Sequence, residues 1–182
     1  MTEDEKSDRK SQAQELKKKG NQFYLAGENE DAINQYNQGL EICPLCFSED
    51  RSILMANKAA AMIKMDQKVE AIEQCSEAIQ LNPKYVKALL RRGQTYEETD
   101  KPHEAMKDFQ QVLEIDPAHK EARMAVIRLP EKIKEKDEKL KEEMMSKWYY
   151  EYIYIRGQWP STCLLCPHLH FDIFDPIFRF LA

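Results

Sequence analysis

The sequence predicts an all-α fold, a solenoid of three stacked helix pairs closed by a C-terminal capping helix. Three observations carry this prediction. The same residue types return at the same offsets in three successive segments. The last two segments are 34 residues apart (Pro83 to Pro117), a period that suits a unit of helix, turn and helix. The stretch that follows keeps its apolar residues at helical spacing among many Lys and Glu.

Taken in chain order, the polar residues 1–10 are predicted to be disordered. With Pro44, Pro83 and Pro117 set as position 32, the repeat units span 13–46, 52–85 and 86–119. Position 4 is Leu16, Met55 and Leu89; position 8, where two helices must approach closely, is Gly20, Ala59 and Gly93. Position 11 is Phe23, Met62 and Tyr96, and position 20 is Ala32, Ala71 and Ala105. Position 24 is Tyr36, Cys75 and Phe109, and position 27 is Gly39, Ala78 and Val112. The first two prolines are 39 residues apart (Pro44 to Pro83), so about five residues are inserted near 46–50, read as a lengthened loop because the pattern resumes in phase after it.

A single helix pair cannot cover its own apolar face, so neighbours stack and the last pair needs a cap. Residues 118–147 are predicted to supply it as a capping helix, with Ala122, Val126, Leu129, Ile133, Leu140 and Met144 at helical spacing. Pro130 is expected to kink that helix or start a new one, since it lacks a backbone donor and crowds the preceding turn. From Trp148 the composition changes: residues 148–182 contain no lysine yet ten of the seventeen aromatics. This end is read as a divergent tail of low order. Its exposed apolar character favours aggregation or partner capture, so deleting 148–182 is expected to improve solubility and leave ligand affinity intact.

Composition narrows the function. A net charge of −5 with 32% charged residues suits a polar surface and argues against a nucleic-acid binder, which needs an excess of Lys and Arg. The N-terminus does not read as a signal peptide, and no apolar run is long enough to cross a membrane. Five cysteines without an export signal are expected to be reduced thiols of the cytosol or nucleus, with a cytoplasmic location favoured. Cys43 and Cys46 stand at Cys-x-x-Cys spacing, but no βαβ pattern surrounds them, so they are read as structural. Cys163, Cys166, His168 and His170 are four possible zinc ligands, too closely spaced for the usual paired arrangement. No metal and no cofactor is therefore expected. Nucleophile motifs and phosphate loops are also lacking, and the residues beyond the cap are too few for a catalytic domain, so the chain is not expected to be an enzyme.

The first helix of each unit lines the concave side of a solenoid, which can hold an extended peptide. At about 100° of rotation per residue, positions 4, 8 and 11 turn toward neighbouring helices and positions 2, 5, 6 and 9 toward the groove. Those groove positions hold Lys17 and Asn21 in the first unit, Asn57 in the second, and Lys87 and Arg91 in the third. Lys17 with Asn21, and Lys87 with Arg91, are pairs four residues apart, so each pair projects from one helical face. Cations and amides are the donors that satisfy a chain-terminal carboxylate beside an acidic side chain.

The segments Leu16-Lys17-Lys18-Lys19-Gly20-Asn21, Ala56-Asn57-Lys58-Ala59-Ala60 and Lys87-Ala88-Leu89-Leu90-Arg91-Arg92 resemble the two-carboxylate clamp of co-chaperone tetratricopeptide domains. The resemblance implies a right-handed superhelical solenoid. It also implies that Lys17, Asn21 and Asn57 hold the main-chain carboxylate with its acidic residue, while Lys87 and Arg91 hold the acidic side chain and nearby backbone. The ligand it implies is the Glu-Glu-Val-Asp tail of the cytosolic 70 and 90 kDa heat-shock chaperones. Other signalling or client proteins stay open as partners. The rival reading is a scaffold that binds a helix or internal peptide without needing a free C-terminal carboxylate.

Overall fold

A computed structural model describes residues 2–150, and among these every element is a helix. Helix α1 is Glu3–Ala26 and α2 is Asn29–Ile42; α3 is Ser48–Lys64 and α4 is Lys68–Leu81; α5 is Val86–Glu98 and α6 is Pro102–Ile115; α7 is Lys120–Tyr149. Each of α1, α3 and α5 packs on the helix that follows it. The pairs then stack, α2 on α3 and α4 on α5, with α1 beside α3 and α3 beside α5. The predicted solenoid of three helix pairs is thus observed within the first compact unit, Met1–Lys134. The described part of the second unit, residues 135–150, is the C-terminal half of α7 and its last residue.

The three intra-unit turns share one construction. Gly27, Asp66 and Asp100, all at position 15, have φ of 86°, 60° and 55°. The N–H of the next residue then reaches the carbonyl at position 11: Glu28 to Phe23 at 2.9 Å, Gln67 to Met62 at 3.0 Å and Lys101 to Tyr96 at 2.8 Å. A left-handed residue after the helix end closes the last turn in this way, and Gly and Asp are among the few residues that tolerate it.

The repeat positions form the core. Ala32, Ala71 and Ala105 are fully buried, as are Cys75, Ala78, Leu89 and Val112, with Tyr36 and Phe109 nearly so. Burying a leucine such as Leu54, Leu89 or Leu129 contributes roughly 1.5 to 3 kcal/mol. Positions 8 and 24 trade volume: Gly20 faces Tyr36 and Gly93 faces Phe109, while Ala59 shares a core cluster with the smaller Cys75. A Cβ on Gly20 would stand 2.6 Å from Tyr36 Cε1 and one on Gly93 would stand 3.2 Å from Phe109 Cζ. With an aromatic at position 24, a side chain at position 8 is therefore blocked at Gly20 and tight at Gly93. Beyond the third pair, Ala122, Ala125 and Leu129 of α7 join the cluster of Leu89, Phe109 and Val112, with Val126 and Ile133 packed against it.

Three expectations are corrected. The predicted disorder of the N-terminal segment does not hold from Thr2 onward, because α1 begins at Glu3 with Thr2 as its cap. Thr2 and Glu5 form a capping box, and three acidic residues in the first turn suit the positive end of the helix dipole. Further along, Lys10 pairs with Asp50 at 3.1 Å and lies 4.6 Å above the Phe47 ring. The insertion before unit two is mostly helix rather than loop: α3 has 17 residues against 13 in α5, the extra turn starting at Ser48. Arg51 in that turn donates to the carbonyls of Leu40 and Cys43 at 2.6 and 2.8 Å, which satisfies acceptors at the end of α2. Finally, Pro130 starts no new helix. Helix α7 continues through it, and Leu140 and Met144 are exposed. Residues 151–182, including the four candidate zinc ligands and most of the predicted tail, lie outside the described residues.

Candidate functional site

The five candidate residues lie on α1, α3 and α5, the first helices of successive units, with α1 beside α3 and α3 beside α5. Asn57 Nδ2 donates to Asn21 Oδ1 at 3.2 Å, across from α3 to α1. Arg91 Nη1 donates to the Ala56 carbonyl at 2.6 Å and to Asn57 Oδ1 at 3.4 Å, across from α5 to α3. Three of the five sequence-predicted residues are therefore joined in one hydrogen-bonded row spanning three repeats. Lys17 is half-buried one turn before Asn21, and Lys87 is exposed one turn before Arg91. Neither lysine makes an ion pair or hydrogen bond among the described residues, so both ammonium groups remain available as donors.

Burial shapes the surrounding electrostatics. The Tyr36 phenol is pushed up to about 12, first by burial and then by Tyr24, against the opposing pull of the Arg91 charge. Burial also raises the Tyr85 phenol, again against Arg91. Both phenols keep their protons at neutral pH, so the Arg91 guanidinium lies among neutral groups with no carboxylate bonded to it among the described residues. Its Nε and Nη2 have no protein acceptor there either. A guanidinium with donors left over among neutral phenols is suited to an anionic ligand.

The adjacent Arg92 behaves otherwise. It points into the core, where Nε and Nη2 hold the Asp108 carboxylate at 2.8 and 2.7 Å and Nη1 reaches Ser76 Oγ at 3.0 Å. One step along a helix rotates a side chain by about 100°, and that step separates the candidate ligand cation Arg91 from the structural Arg92. At the third-unit end, Glu97 receives Arg128 and Lys132, each at 2.8 Å.

One further member of the site was not foreseen. Tyr36, taken from sequence as a packing residue, donates its hydroxyl to Asn21 Oδ1 at 2.7 Å. The available signal was that position 24 carries a hydroxyl only in the unit whose position 9 is asparagine: the other pairs are Ala60 with Cys75 and Gln94 with Phe109.

The tetratricopeptide repeat model matches residues 86–119, the same bounds as the third unit. The first tetratricopeptide domain of Spaghetti (RPAP3), solved with the HSP90 peptide SRMEEVD, superposes with a TM-score of 0.62 at 31% identity, over 68% of this chain and 94% of that one. The chain belongs to the tetratricopeptide repeat family. The second such domain of human RPAP3, solved with the HSP70 peptide SGPTIEEVD, gives a TM-score of 0.60 at 33% identity over 67% of this chain and 98% of that one. Among curated proteins, the mitochondrial import receptor subunit TOM70 of Rattus norvegicus is 40% identical over 96 residues, which is 53% of this chain and 16% of the receptor. This tetratricopeptide chain thus spans about a sixth of the length of that relative.

Proposed function

We propose that the chain is a co-chaperone adaptor that captures the acidic Glu-Glu-Val-Asp C-terminus of cytosolic 70 and 90 kDa heat-shock chaperones. Lys17, Asn21 and Asn57 receive the terminal carboxylate and its acidic residue. Lys87 and Arg91 receive the preceding acidic side chain and nearby backbone. The observation that carries the reading is the row Asn21, Asn57 and Arg91, brought together from three repeats and flanked by two unpaired lysines. The solved domains of Spaghetti and human RPAP3, whose peptides both end in Glu-Glu-Val-Asp, support the same ligand class. We read the protein as non-enzymatic and cytoplasmic. We read its nearer kinship as tetratricopeptide repeat protein 1, on Cys43-Pro44-Leu45-Cys46-Phe47, Ala78-Ile79-Gln80-Leu81-Asn82-Pro83, Arg128-Leu129-Pro130 and Leu140-Lys141-Glu142-Glu143-Met144.

The test is calorimetric titration with a peptide ending in Glu-Glu-Val-Asp. Lys87 is exposed and unpaired among the described residues, so Lys87→Ala removes a ligand donor and leaves the fold intact. A hydrogen bond to a charged group contributes about 1.5 to 3 kcal/mol, so affinity should fall about tenfold or more. Added salt should weaken binding. Equal affinity for the free-acid and C-terminally amidated peptides would remove the clamp and favour a scaffold that grips an internal segment.

A further inference from the structure

We infer that Tyr36 is a positioning residue which, together with Arg91, fixes the amide of Asn21 with its NH2 group toward the ligand. The inference rests on the carboxylate-capture reading above and adds a residue on α2 to it.

A guanidinium has no acceptor atom, so the Asn57 atom facing Arg91 must be Oδ1. Asn57 then has only its Nδ2 to offer Asn21, and the Asn21 atom that meets it must be Oδ1. Tyr36 meets that same Oδ1, so its hydroxyl must donate. Burial holds the phenol protonated at any pH near neutrality. The polarity set by Arg91 thus passes through Asn57 to Asn21, and Tyr36 locks it from the other side.

The consequence lies at Asn21 Nδ2. With Oδ1 bonded to two donors, both N–H groups of the amide remain without a partner among the described residues. A carboxylate accepts and never donates when ionised, so an asparagine serves it only through this NH2 group. An amide free to turn over would spend part of its time presenting oxygen to an anion. The Tyr36 ring is itself held in place, being 1% exposed and closed over the surface of Gly20. The hydroxyl is therefore presented at a fixed point.

The experiment is titration of free-acid and amidated Glu-Glu-Val-Asp peptides into wild type, Tyr36→Phe, Asn21→Ala and the double variant. Tyr36→Phe should weaken the free acid about fivefold, one hydrogen bond of about 1 kcal/mol, and leave the amidated peptide unchanged. In the Asn21→Ala background the same change should have no further effect. Equal weakening of both peptides, or an additive loss in the double variant, would overturn the inference by showing that the hydroxyl acts through the fold alone. Asn21→Asp provides a second arm, since it keeps an acceptor for Tyr36 and removes the donor. Its unfolding midpoint should hold while free-acid binding drops more than tenfold, and retained binding would also overturn the inference. If wild type binds both peptides alike, the carboxylate-capture reading and this one fall together. If wild type prefers the free acid and Tyr36→Phe matches it, only the positioning role falls.

Discussion

Replacing Asp108 with alanine should be among the most damaging polar substitutions in this chain. The Asp108 side chain is 4% exposed and accepts two guanidinium bonds, at 2.7 and 2.8 Å, from an Arg92 whose own side chain is 19% exposed. Without the carboxylate, Arg92 keeps the Ser76 hydroxyl as a hydrogen-bond partner and the Tyr96 ring 5.9 Å away. Removing one partner of a buried pair costs about 3 to 5 kcal/mol, and the residual access of water to Arg92 places the loss near the lower end, about 3 kcal/mol. In urea the midpoint should fall with an unchanged slope, and the melting temperature should drop by roughly 10 °C. The double change Arg92→Met with Asp108→Leu should recover much of this, because two ions then no longer need to be desolvated. A loss below about 1 kcal/mol for Asp108→Ala, or a double variant as unstable as the single, would refute the reasoning.

Two further outcomes follow from side chains at other depths. Burial pushes Glu97 upward, but the hydrogen bonds from Lys132 and Arg128 outweigh it and hold the carboxyl below its ordinary value. Its contribution to stability is therefore complete above the unfolded carboxylate value, about 4.3, and fades as pH falls through the folded one. The melting-temperature difference between wild type and Glu97→Gln should shrink on acidification; a constant difference would count against the ion pairs. Cysteine reactivity should divide by burial: Cys75 is buried with its thiol pushed up to about 12, whereas Cys46 is exposed. Peptide mapping after a thiol reagent at pH 8 should find Cys46 labelled early and Cys75 labelled only on unfolding.

The periodic part of the fold was legible because each offset answers to one packing demand. Alanine at position 20 is fully buried in all three units, and the glycines at position 8 match aromatics at position 24. Sequence reasoning failed where structure did not come from apolar spacing. The first turns of α1 carry almost no apolar residue; a capping box and a lysine packed over Phe47 hold them. The insertion was read as loop because a change of length says nothing about conformation, yet Arg51 tethers that extra turn of α3 to the end of α2. At the groove, helical rotation was enough to place Asn21, Asn57 and Arg91 on one side. It could not foresee that these side chains bond to one another, nor that a hydroxyl from α2 joins them.

The opening turns of α1 carry a warning for anyone who trims the domain. A shortened version starting at Ala13, where the first repeat formally begins, would strip away Lys10 and with it the cation resting on Phe47 and the ammonium beside Asp50. Gln14, 3.1 Å from Asp50, would still bridge α1 to the extra turn of α3. Such a fragment would report a softer first repeat than the intact chain has, and the missing strut could be mistaken for an intrinsic weakness of the first helix pair.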